Sequence, residues 1–126
     1  MIFTVPLKVT TTGGAGVATG SAASPFPVRG YVMGVFLNFH ASAPATTDTT
    51  LRTKGNSAPS RNLLVVTNSA TDAFIATADK PVDNANVAIT NAHRGQVVDD
   101  YLEIALAQCD ALTDAVVAHV LVDDGK

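Results

Sequence analysis

Short apolar runs, separated by turn-forming residues at nearly even intervals, limit this sequence to a fold of many short strands. Pro25 and Pro27, Ala41 to Asp48 with Pro44, Gly55 to Ser60, Asp79 to Asn84, Asn91 to Gly95 and Asp110 to Asp114 are the punctuation. Between them apolar residues alternate with period two or form runs too short for a typical helix.

The clearest run is Val28 to His40. Alternation places Tyr31, Met33, Val35, Leu37 and Phe39 on one face and Val32 and Phe36 on the other. Both faces are partly apolar, as in a central strand. Gly30 and Gly34 permit a bend or a close backbone approach and weaken any helical reading. Thr49 to Lys54 reads as a short returning strand, and Asn62 to Thr67, with Leu63, Leu64, Val65 and Val66, as a buried one. Thr71 to Thr77 and Asn86 to Thr90 are weaker strand candidates.

Tyr101 to Cys109 and Ala115 to Val122 read as a hairpin turned by Asp110 to Asp114. Leu102, Ile104 and Leu106 share one face of the first strand, and Val116, Val120 and Val122 share one face of the second. A helix across this region competes, because Leu, Ala and Gln tolerate it, but strict alternation and the valines favour strands. At the other end, Ile2 to Thr11 is a strand followed by the turn Gly13 to Gly16 and a thin segment of small residues. Residues 1–27 lack bulky anchors and read as an N-terminal arm or an edge strand whose partner lies on another chain. The sum is about eight strands spaced roughly 10–15 residues apart, expected to form one all-β domain over residues 1–126, an antiparallel, jelly-roll-like β-sandwich.

Composition narrows function by exclusion. Hydrophobic residues make up 47% and charged residues 15%, with a formal net charge of −3, so disorder is not expected. The eight Lys and Arg residues are scattered singly, which argues against nucleic-acid binding. Among eleven acidic residues Glu103 is the one glutamate, and the Asp-rich remainder suits turns. No apolar run reaches the ~20 residues of a membrane helix, and the N-terminus lacks a signal-peptide pattern, so the protein is expected to be made and used on the cytoplasmic side or released by lysis.

No constellation suggests catalysis, so the chain is expected not to be an enzyme and to need no cofactor. His40, His93 and His119 are isolated, each in a different segment. Cys109 is the single cysteine and reads as a small buried residue. Asp79 with Asp83 and Asn84, Asp99 with Asp100, and Asp123 with Asp124 are the sparse candidates for a calcium ligand set, and each reads better as a solvated turn or strand end. The glycine run at residues 13–16 lacks the Lys-Ser/Thr of a phosphate loop. Tyr31 and Tyr101 read as residues at the edge of the core.

The order of Gly30 to Phe39, Pro44 to Leu51, Leu63 to Asp72, Lys80 to Asp83 and Val117 to Val122 resembles small β-sandwich structural proteins of tailed bacteriophages, of the capsid decoration (cement) type. The resemblance spans roughly residues 28–122 and is carried by strand and turn patterns. It implies a homotrimer on the capsid exterior of the virion, bound to the major capsid protein and clamping neighbouring capsomers. Such a clamp uses many weak contacts multiplied by symmetry. Met1, Ile2, Phe3 and Lys8, with Arg52, Lys54 and Arg61, are then the expected interface, the cations meeting acidic shell surfaces. The competing reading is a phage fibre, tail or glycan-recognition module that binds through loops 41–48 and 53–62.

Overall fold

A computed structural model describes residues 1–56, 59–77 and 96–125, with the side chain of Gln96 left out, and these form nine strands and no helix. They are β1 (Ile2–Val9), β2 (Ala18–Ala23), β3 (Val28–Phe39), β4 (Asp48–Thr53), β5 (Asn62–Val66), β6 (Ala73–Ala76), β7 (Gln96–Asp100), β8 (Leu102–Cys109) and β9 (Val116–Asp123). The expected turn at 79–84, strand at 86–90 and loop at 91–95, with His93, lie outside the described residues.

The strands pair as one long antiparallel ribbon that doubles back at β4–β5. Its rungs are β1 with β9, β2 with β8, β3 with β6 and β7, and β4 with β5. Rolling the ribbon brings β9 against β3 and β8 against β4. Two sheets result: β1-β9-β3-β6, with β7 also on β3, and β2-β8-β4-β5. This is a double-sheet jelly roll, the antiparallel sandwich expected from the sequence. The ninth strand arises because one place in the roll is shared. β7 pairs with Val28 to Val32 of β3, and β6 pairs with Gly34 to Leu37.

Three expectations are corrected. First, β8 and β9 form no hairpin: β8 lies between β2 and β4, and β9 between β1 and β3, so residues 110–115 cross from one sheet to the other. Leu102, Ile104 and Leu106 thus face Val116, Ala118, Val120 and Val122 across the core. Alternation reports which face of a strand is buried and is silent on which strand lies beside it. The step from β3 to β4 crosses between sheets in the same way. Second, β1 pairs over its whole length with β9 of its own chain, so it is an edge strand rather than an arm reaching another molecule. Val5, Leu7 and Val9 are fully or almost fully buried there.

The third correction concerns β3. Val32 pairs with Val122 and Gly34 with Leu121, leaving Met33 as an extra residue. This bulge reverses the alternation midway. Val28, Val32, Val35, Leu37 and Phe39 point inward, whereas Tyr31, Met33 and Phe36 point outward. The bulge sits where β3 changes neighbour from β7 to β6. Thr77 serves it: its amide donates to the Met33 carbonyl at 3.2 Å and its hydroxyl to the Val32 carbonyl at 3.1 Å.

The core is valine-rich, with Leu51, Leu102 and Ile104 among its largest fully buried side chains, and Cys109 is buried in it as expected. The sandwich ends are tied by polar side chains on backbone groups. Ser24 accepts from the Leu102 amide at 3.0 Å, Asp72 accepts from the Phe39 amide at 2.7 Å, and the Thr11 hydroxyl donates to the Asp110 carbonyl at 2.5 Å. One hydroxyl breaks this pattern: Thr49 Oγ1 is buried and has no partner among the described residues. Burying an unpaired hydroxyl costs about 1–3 kcal/mol. Thr49→Val keeps the shape, so it is expected to raise stability by about 1 kcal/mol, seen as a higher urea midpoint at unchanged slope.

Candidate functional site

The two outer faces of the sandwich differ in kind. On the second sheet, Ser21, Ala23, Thr50, Ala105 and Ala107 make a face of mostly small side chains, with Val65 beside Thr50 its one large exposed apolar residue. Arg52 there is held by Glu103 at 2.7 Å.

The first sheet presents bulky side chains outward, and the strand register arranges them in rows. Moving from β1 through β9 and β3 to β6 or β7, one row reads Lys8, Val117, Asn38. The next reads Pro6, His119, Phe36, Phe74, and the third Thr4, Leu121, Gly34, Ala76, with Met33 at the bulge. The fourth reads Ile2, Asp123, Tyr31, Val97. Beyond it Arg29 stands beside Asp99. Tyr31, Met33, Phe36, Phe74 and Val97 are 43%, 37%, 47%, 48% and 55% exposed, although each is large and apolar.

The rings are held in place locally. Phe36 and Phe74 have centroids 4.5 Å apart at 42°, within the range of a favourable aromatic pair. Phe74 also lies over Gly34: a β-carbon on Gly34 would fall 2.4 Å from its ring. Glycine at this position lets the ring lie down on the sheet, so the pair forms a low ridge.

Charge surrounds the patch. Arg29 and Asp99 pair at 3.0 Å, both exposed, and donating to Asp99 raises the arginine pKa above its ordinary value. The Met1 amino group donates to Asp124 at 2.8 Å and lies 3.6 Å from Asp123, and the hydrogen bond to Asp124 raises its pKa. Lys8 stands at the opposite end of β1. An apolar, aromatic centre with charges at its margin is the usual anatomy of a protein-contact surface.

The residues expected to form one interface do not come together. Ile2 and Lys8 point outward on the first sheet, at opposite ends of β1. Phe3 points inward and packs on the core. Arg52 is on the second sheet, paired with Glu103. Lys54 and Arg61 are exposed in the β4–β5 connection. Loops 41–48 and 53–62 lie at opposite ends of β4, so they share no single binding surface. Tyr31 is a surface residue of the aromatic face, and its strand alternation alone would not have shown this, because the bulge intervenes.

The candidate metal pairs are likewise separated. Asp99 points outward to Arg29, whereas Asp100, one residue on, points inward and accepts from the backbone amides of Gly55, Asn56 and Tyr101. Asp123 and Asp124 both engage the Met1 amino group. Asp79, Asp83 and Asn84 lie outside the described residues. His40 Nδ1 accepts from the Ser42 amide within a turn, and His119 stands on the first sheet's outer face beside Phe36. Among the described residues no group of three His, Cys, Asp or Glu is placed to hold a metal ion, and there is no cavity.

No family model and no curated protein matches the sequence. A solved structure with a related arrangement is a mutant of a family 29 carbohydrate-binding module, at 6% identity and a TM-score of 0.42, covering 98% of this chain and 82% of that chain.

Proposed function

We propose that this chain is a virion structural protein of the capsid decoration type, which works by protein contact and without catalysis. The observation that supports the reading is the outer face of the first sheet. Tyr31, Met33, Phe36, Phe74 and Val97 form an exposed apolar centre, rimmed by Lys8, Arg29, Asp99 and Asp123 on a rigid two-sheet frame. Aromatic and methionine side chains at the centre with charge at the rim suit a protein partner. In this reading the exposed cations Lys54 and Arg61 of the β4–β5 connection meet an acidic shell surface.

The test is saturable binding of the purified chain to expanded shells and its absence from precursor shells, with imaging of decorated particles. Lys54→Glu combined with Arg61→Glu is expected to weaken shell binding roughly tenfold, mainly by slowing association. Unchanged binding would remove these residues from the contact. Deleting residues 1–8 is not a usable test, because it strips Val5 and Leu7 from the core.

The exposed rings favour one second reading, a glycan platform, since sugars also pack on aromatic faces. Against it, the Phe36 and Phe74 rings are tilted to each other by 42°, so they offer a sugar ring no single flat platform. Glycan-array signals abolished by Phe36→Ala and Phe74→Ala would replace the protein reading with this one.

A further inference from the structure

We propose that the outer face of the first sheet is where two copies of this chain pack together, about a two-fold axis lying across the strands beside Leu121. The inference rests on the reading of that face as a protein contact, and it names the partner.

The face is complementary to itself. A two-fold axis across the strands keeps the order of strands and reverses the order of rows. The row Pro6, His119, Phe36, Phe74 of one copy then stands over Ile2, Asp123, Tyr31, Val97 of the other. Phe36 faces Tyr31, Phe74 faces Val97, Pro6 faces Ile2, and His119 faces Asp123. Leu121 and the Met33 bulge fall on the axis and meet their own copies. Lys8 comes over the end of β1 where Asp124 lies. Every such match occurs twice, which is how an isologous interface gains from few contacts. Turning the face about an axis along the strands would instead keep the row order and place Lys8 at the end away from Asp123 and Asp124.

Area decides whether such a pair can last. Four strands spaced ~4.8 Å, with three rows overlapping fully and the two outer rows in part at a spacing of ~6.8 Å, give a plane of about 500 Å² per copy. Protruding rings add accessible area to that plane, so two copies exceed the ~1,000 Å² that separates specific interfaces from casual contacts. Two twisted sheets pack face to face about 10 Å apart with strands within about 30° of each other, which this geometry permits. The second sheet's outer face, made mainly of Ala, Ser and Thr with the Arg52–Glu103 pair, carries one exposed large apolar side chain, Val65, and no aromatic ring on its strands.

The test uses the full chain. Sedimentation equilibrium over a roughly hundredfold concentration range is expected to give the mass of two chains at the upper end. Phe36→Asp is expected to weaken self-association roughly hundredfold by burying a carboxylate in the contact, with the thermal midpoint of the dilute protein held near that of the wild type. Leu121→Cys is expected to cross-link to its own copy with a bis-maleimide that spans about 10 Å, the spacing of packed sheets, whereas Lys8→Cys, about 27 Å from its copy across four rows, is not. The native Cys109 is buried and does not interfere. A monomer at all concentrations, a trimer, or a dimer that Leu121→Cys fails to cross-link would each overturn the proposal. A monomer that binds expanded shells would overturn the pairing and leave the decoration role standing. A cross-linked dimer that binds no shell would do the reverse.

Discussion

Replacing Asp100 with alanine is expected to destabilise the protein by about 3 kcal/mol, the largest loss for a single polar side chain in the fold. Asp100 is 2% exposed, and its carboxylate accepts from the amides of Gly55 at 2.9 Å, Asn56 at 3.0 Å and Tyr101 at 2.7 Å. It therefore joins the β4–β5 connection to the corner where the chain leaves one sheet at β7 and enters the other at β8. Bonds to an ionised acceptor are worth about 1.5–3 kcal/mol each, and water reaches the freed amides only in part, because they are partly buried. Asp100→Asn keeps the volume but brings an NH₂ group against amide donors, so it is expected to lose most of the same stability. The measurement is urea unfolding of both variants. A cost below that of an ordinary surface substitution, about 0.5 kcal/mol, would show that the corner is held by something else.

Gly30→Ala is expected to cost at least as much, for a reason found in the backbone. Gly30 has φ +136°, a region that side chains other than glycine's rarely adopt. A β-carbon there would also lie 2.4 Å from the Asp123 carbonyl oxygen and 2.9 Å from the Asp124 α-carbon. Both neighbours are main chain of β9 and its continuation, so relief requires β3 and β9 to part at their hydrogen-bonded end. Strain of this kind costs about 1–3 kcal/mol before the clash is counted. Gly34→Ala is the control. Its β-carbon would meet the far end of the Phe74 ring, a side chain that can swing away, and would lie 3.1 Å from the Ile75 carbonyl oxygen, which needs a shift of only a few tenths of an ångström. It is expected to cost little stability while lifting Phe74 off the sheet, and so to weaken whatever docks on that face. Thermal melts of the two glycine variants, set beside their self-association, check the contrast. Equal melting losses would mean that Phe74 is fixed as firmly as the backbone.

The strands themselves were legible because burial on one face leaves a period-two trace in the chain. β3, β4, β5, β8 and β9 coincide with alternating or continuous apolar runs, and β1 with Ile2 to Thr11. β7 was hidden: Gln96 to Asp100 offers two valines among polar residues, and its order comes from pairing with the first half of β3. The aromatic face was hidden for a different reason. One bulged residue, Met33, moves Phe36 to the same side as Tyr31, and a bulge depends on what lies opposite, which in this case is Val122 and Leu121 of β9.

The opposite fates of Asp99 and Asp100 show the same division at single-residue scale. As neighbours on a strand they had to point to opposite faces, which the sequence implies once β7 is recognised. That one would meet Arg29 in solvent, while the other would be buried on the amides of a loop some forty-five residues away, required the folded chain.

By itself, then, the sequence determined the all-β class, the antiparallel sandwich and the turns that separate its strands, because these follow from local alternation and from residues that fix backbone angles. The tertiary structure alone decided that β8 and β9 face each other across the core instead of pairing, and that Tyr31, Phe36 and Phe74 share one exposed surface. Those outcomes depend on which strands become neighbours when the ribbon rolls. A period-two pattern is identical for a strand in either sheet, so only long-range register could settle them.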